Sequence, residues 1–281
     1  MQRILLPTDF SENASHALRV AATLAARVKA KLELIHINTA VAYSPPLPEY
    51  YGGDLYDTTE YYETAARELH NIKKEVTENP EFAGLEMETR IEEGFLFSSV
   101  RRVAEEDKVD LVVMGTKGAS GVNEFFIGSN TEKVIRTAPC AVLTVPEKSG
   151  DFNPKVVVVP TTLRKDQAPA FEWMAQLQKV FPLKVKVLYL NNPADLDDDK
   201  EIEKTVQGFA DAAGLLDVET FGSTSTFNEE SAILSFAQEQ KADLIAMVTH
   251  QRKGLSHLLF GSLTEDAANH SDIPVLSIPA R

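Results

Sequence analysis

The sequence predicts two tandem α/β domains, each a doubly wound five-stranded parallel sheet, packed together within one chain as a pseudo-dimer. Three observations predict this. The chain repeats itself: ILLPTD at 4–9 answers to VVVPTT at 157–162, an offset of 153, and DLVVMGTKGASGVNEFFIGS at 110–129 answers to DLIAMVTHQRKGLSHLLFGS at 243–262, an offset of 133. Within each copy, short apolar runs alternate with segments of helical periodicity, the pattern of a parallel sheet covered on both faces. The final runs of the two copies, 141–145 and 274–278, are apolar and would make adhesive sheet edges unless they met each other. At 281 residues there is chain enough for two cores. The division is expected at 1–148 and 153–281, with the join near 148–154.

In the first copy, strands are expected at about 3–7, 31–37, 85–91, 110–114 and 141–145, each a mostly apolar run bounded by polar, Gly or Pro positions. Ser11 can cap a helix in which Ala14, Leu18, Ala21, Ala22 and Ala25 form an apolar stripe. Further helices are expected over 59–78, 95–107 and 129–137. The offset falls by 20 residues between the two repeat matches, which places an insertion at Tyr43 to Tyr62, with six of the chain's seven tyrosines. It starts just beyond the second strand and reads as a lid or partner-binding loop, against the alternative of a packed connection.

Composition excludes several classes. With 28 Lys and Arg against 42 Asp and Glu the net charge is −14, shared evenly between the halves, so phosphate backbones and anionic lipid surfaces would be repelled. No apolar stretch approaches the roughly 18 residues of a membrane span. One cysteine, Cys140, permits neither an intrachain disulfide nor a thiolate zinc cluster. These features fit a cytosolic protein with no nucleic-acid or membrane partner.

The segment from Met114 to Asn130, MGTKGASGVNEFFIGSN, carries the most chemistry. It follows a strand and leads into a helix near Ser129. Glycines at a strand end admit a ligand close to the backbone, and a helix N-terminus offers free N–H groups and a positive dipole end to a phosphate. In an open parallel sheet the ligand crevice lies beyond the carboxyl ends of the strands at the switch in strand order. Asp9 and Gly115 lie just beyond two such ends. Turn glycines alone would explain the loop equally well.

The spacing of Gly115, Gly118, Gly128 and Ser129 resembles the nucleotide-binding motif of the universal stress protein family. LLPTDFSENASHAL at the start and LIHIN at 34–38 are similar to that family's first strand and helix and its second strand. The repeat extends the resemblance over nearly the whole chain as a tandem protein, with a Rossmann-like fold implied. The resemblance implies that Asp9 and the backbone of Ile37 face an adenine and that Met114 and Gly115 face the ribose. Gly118, Gly128, Ser129 and Asn130 would face the phosphates, and Pro7 and Thr8 complete the set. ATP with magnesium is the implied cofactor, and a homodimer of the tandem chain is an assembly that the family allows. Glu93-Gly94-Phe95 stands where many relatives have Gly-x-Pro, a departure that bears on loop shape.

The second copy departs further. Gly115 becomes Val248, Gly118 becomes Gln251 and Asp9 becomes Thr162, while Gly261 and Ser262 are kept. If Gly115 uses positive φ, a β-branched residue there would cost on the order of 1–2 kcal/mol. The expectation is therefore nucleotide in the first domain only. His250, His257 and His270 read as surface histidines, His36 as a satisfied core residue and Cys140 as a small buried hydrophobe. The acidic run 195–201 reads as a helix start, not a calcium loop. No Lys-Ser or Lys-Thr follows the glycines as in a P-loop, so negligible turnover is expected. A slow nucleotide hydrolase or transferase, and a sensor of another small ligand through the second half, are the alternatives.

Overall fold

A computed structural model describes residues 1–39, 59–116, 129–147, 149, 151–190, 198–223, 229–249 and 260–280. In the first half, β1 (Arg3–Thr8), α1 (Glu12–Val28), β2 (Lys31–Asn38), α2 (Thr59–Glu78), β3 (Met87–Glu93), α3 (Leu96–Glu106), β4 (Leu111–Gly115), α4 (Ser129–Thr137) and β5 (Ala141–Val145) follow in order. The second half repeats them as β6 (Val156–Thr161), α5 (Ala168–Gln178), β7 (Lys184–Leu190), α6 (Asp199–Ala213), β8 (Val218–Ser223), α7 (Glu229–Glu239), β9 (Leu244–Thr249), α8 (Phe260–His270) and β10 (Val275–Pro279). The third strand starts two residues later than its apolar run suggests. Gly84 turns the chain at φ +82 and Leu85 is spent in that turn before pairing with β2 begins.

The ten strands among the described residues form one sheet in the order β3-β2-β1-β4-β5-β10-β9-β6-β7-β8. Every pairing is parallel except the central one, where Val275, Leu276 and Ser277 run antiparallel to Thr144, Leu143 and Val142. Leu143 and Leu276 are repeat counterparts that face each other, so the pseudo-twofold axis passes between them. Neither apolar edge strand is left open, and the halves pair as the sequence predicts.

The repeat is also written in the polar backbone contacts. The Asp110 carboxylate accepts from the backbone N–H groups of Gln2 and Arg3, and Asp243 accepts from Lys155 and Val156 at the same places. Phe10 and Leu163 both adopt positive φ, 63° and 58°. In each, the N–H donates at 3.0 Å to a threonine hydroxyl two residues back, Thr8 or Thr161. An L-residue resists this conformation, so its recurrence in both halves marks a turn the fold requires. Asp110 and Asp243 each head one copy of the repeated Asp-Leu segment.

Two apolar layers flank the sheet, and each runs through both halves. One holds Ile4, Leu6, Leu34, Val113 and α1 together with Val157, Trp173 and Val187. The other holds Leu5, Ile35, Ile37, Met114 and α3 together with Val158, Met247 and Val275. The segment joining the halves is itself packed. Phe152 is buried edge-on against Phe181, Arg27 lies over the Phe181 ring and donates to Asn153, and Arg19 pairs with Asp151. The acidic run at 195–201 resolves in part as expected, with Asp198 capping α6 by accepting from Lys200 N–H.

Candidate functional site

The strand order reverses between β1 and β4, since β2 and β3 lie to one side and β5 to the other. Here the ladder stops early. Only Ile4 with Leu111 and Leu5 with Val112 are paired, although β1 continues to Thr8 and β4 to Gly115. The two carboxyl ends therefore splay into a crevice at the topological switch point. The second half does the same between β6 and β9, where pairing ends at Val158 with Ile245.

Pro7 and Thr8 close β1 inside this crevice, both buried, and Asp9 follows exposed at its mouth with Oδ1 accepting from Ser11 N–H at 3.0 Å. Ser11 in turn caps α1 by accepting from Ala14 N–H. Ile37 and Met114 belong to one apolar cluster under the crevice. Gly115 ends β4, and its carbonyl accepts from Thr131 Oγ1 at 3.2 Å, which holds the first turn of α4 against the strand end. Ser129 and Asn130 open that helix. Gly118 and Gly128, like residues 43–58 of the insertion, Gln251, His250 and His257, lie outside the described residues.

The need for glycine at 115 differs from the sequence argument. Its φ is not positive. A Cβ there would stand 3.0 Å from the Asn13 carbonyl oxygen and 3.2 Å from its carbon, against the backbone of the first turn of α1. Close approach, not backbone handedness, disfavours a side chain, which would require the Asn13 backbone to give way. In the second half, the repeat offset places the next helix at Lys165, but a short 3-10 turn occupies 165–167 and α5 begins at Ala168. The helix entry is rebuilt where Val248 replaces glycine. Thr162, in the place of Asp9, carries a buried hydroxyl with no hydrogen-bond partner.

Sequence reasoning missed a cluster beside the crevice. His36, 8% exposed, sets Nδ1 2.9 Å from the Thr8 carbonyl and Nε2 2.6 Å from the Tyr61 hydroxyl. A carbonyl only accepts, so Nδ1 carries the proton and Nε2 accepts from Tyr61. Burial raises the Tyr61 hydroxyl above its ordinary pKa and keeps it a donor. Phe10 stacks on the imidazole at 4.4 Å, which helps offset its own backbone conformation. Tyr62 donates to Glu93 and is reached by Asn38 Nδ2. His36 is the satisfied core residue that its setting suggested, but nothing in the sequence spacing reveals Tyr61 and Tyr62 as its neighbours.

Cys140 is only partly buried, less so than expected, yet it is a poor nucleophile. Burial, with Asp110 nearby, pushes its thiol up to about 12. A thiol needs its anion to react, so native alkylation by iodoacetamide at pH 8 should be slower than for a free thiol by on the order of a thousandfold. The rate should climb with pH beyond 9 and match a free thiol in denaturant. Fast native labelling at pH 8 would contradict this burial.

Fold and crevice together define a tandem α/β protein with a switch-point crevice in each of two unequal halves. The chain belongs to the universal stress protein family, which matches residues 1–146 and again 154–279. A relative from Staphylococcus aureus strain USA300, named for the same family, is 36% identical over 170 residues, covering 58% of this chain and 95% of its own. A universal stress protein from Archaeoglobus fulgidus DSM 4304 shares the fold at a TM-score of 0.75 and 20% identity, over 99% of this chain and 98% of its own. A protein described as functionally unknown, PA1789 from Pseudomonas aeruginosa PAO1, superposes at 0.65 with 14% identity over 100% and 93%. Among the described residues, no helix is long and apolar enough to cross a membrane.

Proposed function

We propose that this is a cytosolic regulatory protein of the stress response that binds one ATP, with its magnesium, in the first half. The observation that carries the reading is the crevice where β1 and β4 splay. There the Thr8–Asp9 end, a glycine where a Cβ would crowd the Asn13 backbone and the first turn of α4 meet. The family's Gly115, Gly118, Gly128, Ser129 spacing runs from that strand end to that helix. In this reading Asp9 and Ile37 hold the base, Met114 and Gly115 the ribose, and Gly118, Gly128, Ser129 and Asn130 the phosphates, with Pro7 and Thr8 shaping the floor. The N–H groups of α4's first turn supply the positive end of a helix dipole to the triphosphate. The second half, with Val248 and Thr162 at its own crevice, is read as a non-binding partner. Domain limits of 1–148 and 153–281 go with this division of labour.

Calorimetry should give close to one ATP per chain, and two sites or none would overturn the proposal. The groups assigned here position phosphates but include no general base and no arginine to stabilise a departing phosphoryl group. Hydrolysis should therefore stay far below about 1 per second, the low end of ordinary enzymes. Magnesium-dependent turnover at that rate would favour an enzyme instead.

A further inference from the structure

The groove between α1 and α2, away from the strand ends, holds a cavity of about 300 Å³. Leu18 and Ala22 line it from α1, Ile72 and Val76 from α2, and Phe82 from below. The second half shows what the same groove looks like when filled. Phe171, the repeat counterpart of Leu18, stacks on Phe209 of α6 with centroids 5.2 Å apart and planes at 22°. In the first half neither helix contributes a phenyl ring, the one ring that α1 brings being the His16 imidazole, so much of the volume that a phenylalanine pair takes up in one copy is open in the other.

The cavity wall carries one buried polar atom without a partner. His16 lines it, and its Nδ1 is buried without a hydrogen-bond partner. A buried polar atom left unpaired costs free energy that a ligand can recover. The charged groups around it point away from an ionic ligand. Arg19 is already paired with Glu81 at 3.8 Å and Asp151 at 3.3 Å, and the Glu75 carboxylate stands on the same wall. We propose that this groove is a second small-molecule site, for an uncharged planar aromatic molecule bearing one hydroxyl. The ring would take the place of the missing phenylalanine pair, and the hydroxyl, which can donate or accept, would satisfy His16 Nδ1 in either tautomer.

Phenol is the probe, titrated into the full-length chain and followed by backbone amide NMR, with toluene as the ring without the hydroxyl. Phenol should shift amides of α1 and α2, and toluene should bind about tenfold more weakly, the worth of one hydrogen bond near 1.4 kcal/mol. Leu18→Phe, which copies the second half, should weaken phenol at least tenfold and leave ATP affinity within twofold. Ile72→Phe brings a ring in from the opposite helix and serves if the first variant does not fold. The proposal falls if about 10 mM phenol leaves those amides unmoved, if toluene matches phenol, or if a folded ring variant binds phenol undiminished. An absence of ATP binding would overturn the nucleotide assignment and leave this result standing.

Discussion

Gly115→Val with Gly118→Gln, which copies the second half's residues into the first, is expected to weaken ATP binding at least a hundredfold while the chain stays folded. The Val Cβ would stand 3.0 Å from the Asn13 carbonyl oxygen, so the first turn of α1 must move. Overpacking of this kind costs roughly 1–3 kcal/mol. Moving that turn also disturbs Ser11 and Asp9, which lead into it. Gln at 118 puts a side chain where the phosphates are assigned. Losing two charge-assisted hydrogen bonds at about 1.5–3 kcal/mol each is enough for the hundredfold. The second half tolerates Val248 because its helix entry is rebuilt through the turn at 165–167, so the transplant is expected to carry some strain that Val248 does not. Circular dichroism should show the fold retained and melting a few degrees lower. Binding within tenfold of wild type would show that these glycines do not form the site.

Leu143→Ala should destabilise both halves together. Leu143 is 2% exposed and packs in a core layer shared with Leu276 and the second half, so truncation should cost about 2–5 kcal/mol. The chain's single tryptophan, Trp173, lies in the same layer but in α5 of the other half. Its fluorescence should therefore report the mutation, with the urea midpoint shifted down in one cooperative transition. A tryptophan transition that stays put while circular dichroism shows an earlier phase would mean that the halves unfold separately.

Much of this architecture was legible because the signals were local and repeated. Strand and helix positions followed from apolar runs and spacing, and a pseudo-twofold pairing of the halves followed from the family resemblance together with two apolar edges that could not be left in water. The crevice was legible as a place, since Asp9 and Gly115 each end a strand. Its internal reasons were not. That Gly115 is forced by Asn13 depends on how closely α1 crosses β4, a tertiary distance with no sequence trace. The His36–Tyr61 bond joins residues 25 apart, one of them near the end of an insertion whose length hides the pairing. The open groove at Leu18 is visible only by comparing the two copies after both have folded.

Covalent linkage changes what the central strand pairing can become. In a dimer of separate chains, association follows mass action and weakens on dilution, and every substitution at the contact appears twice. Here the halves meet at a concentration fixed by the tether, so their union is indifferent to protein abundance and each side can change alone. Arg136 shows the result. It forms a two-pronged ion pair with Glu265 across the seam while also holding Glu132, the repeat counterpart of Glu265. The residue that would return the contact is Asn269, which has no charge to offer. A one-sided clasp of this sort is unavailable to identical subunits, and the same freedom lets one crevice keep its glycines while the other gives them up.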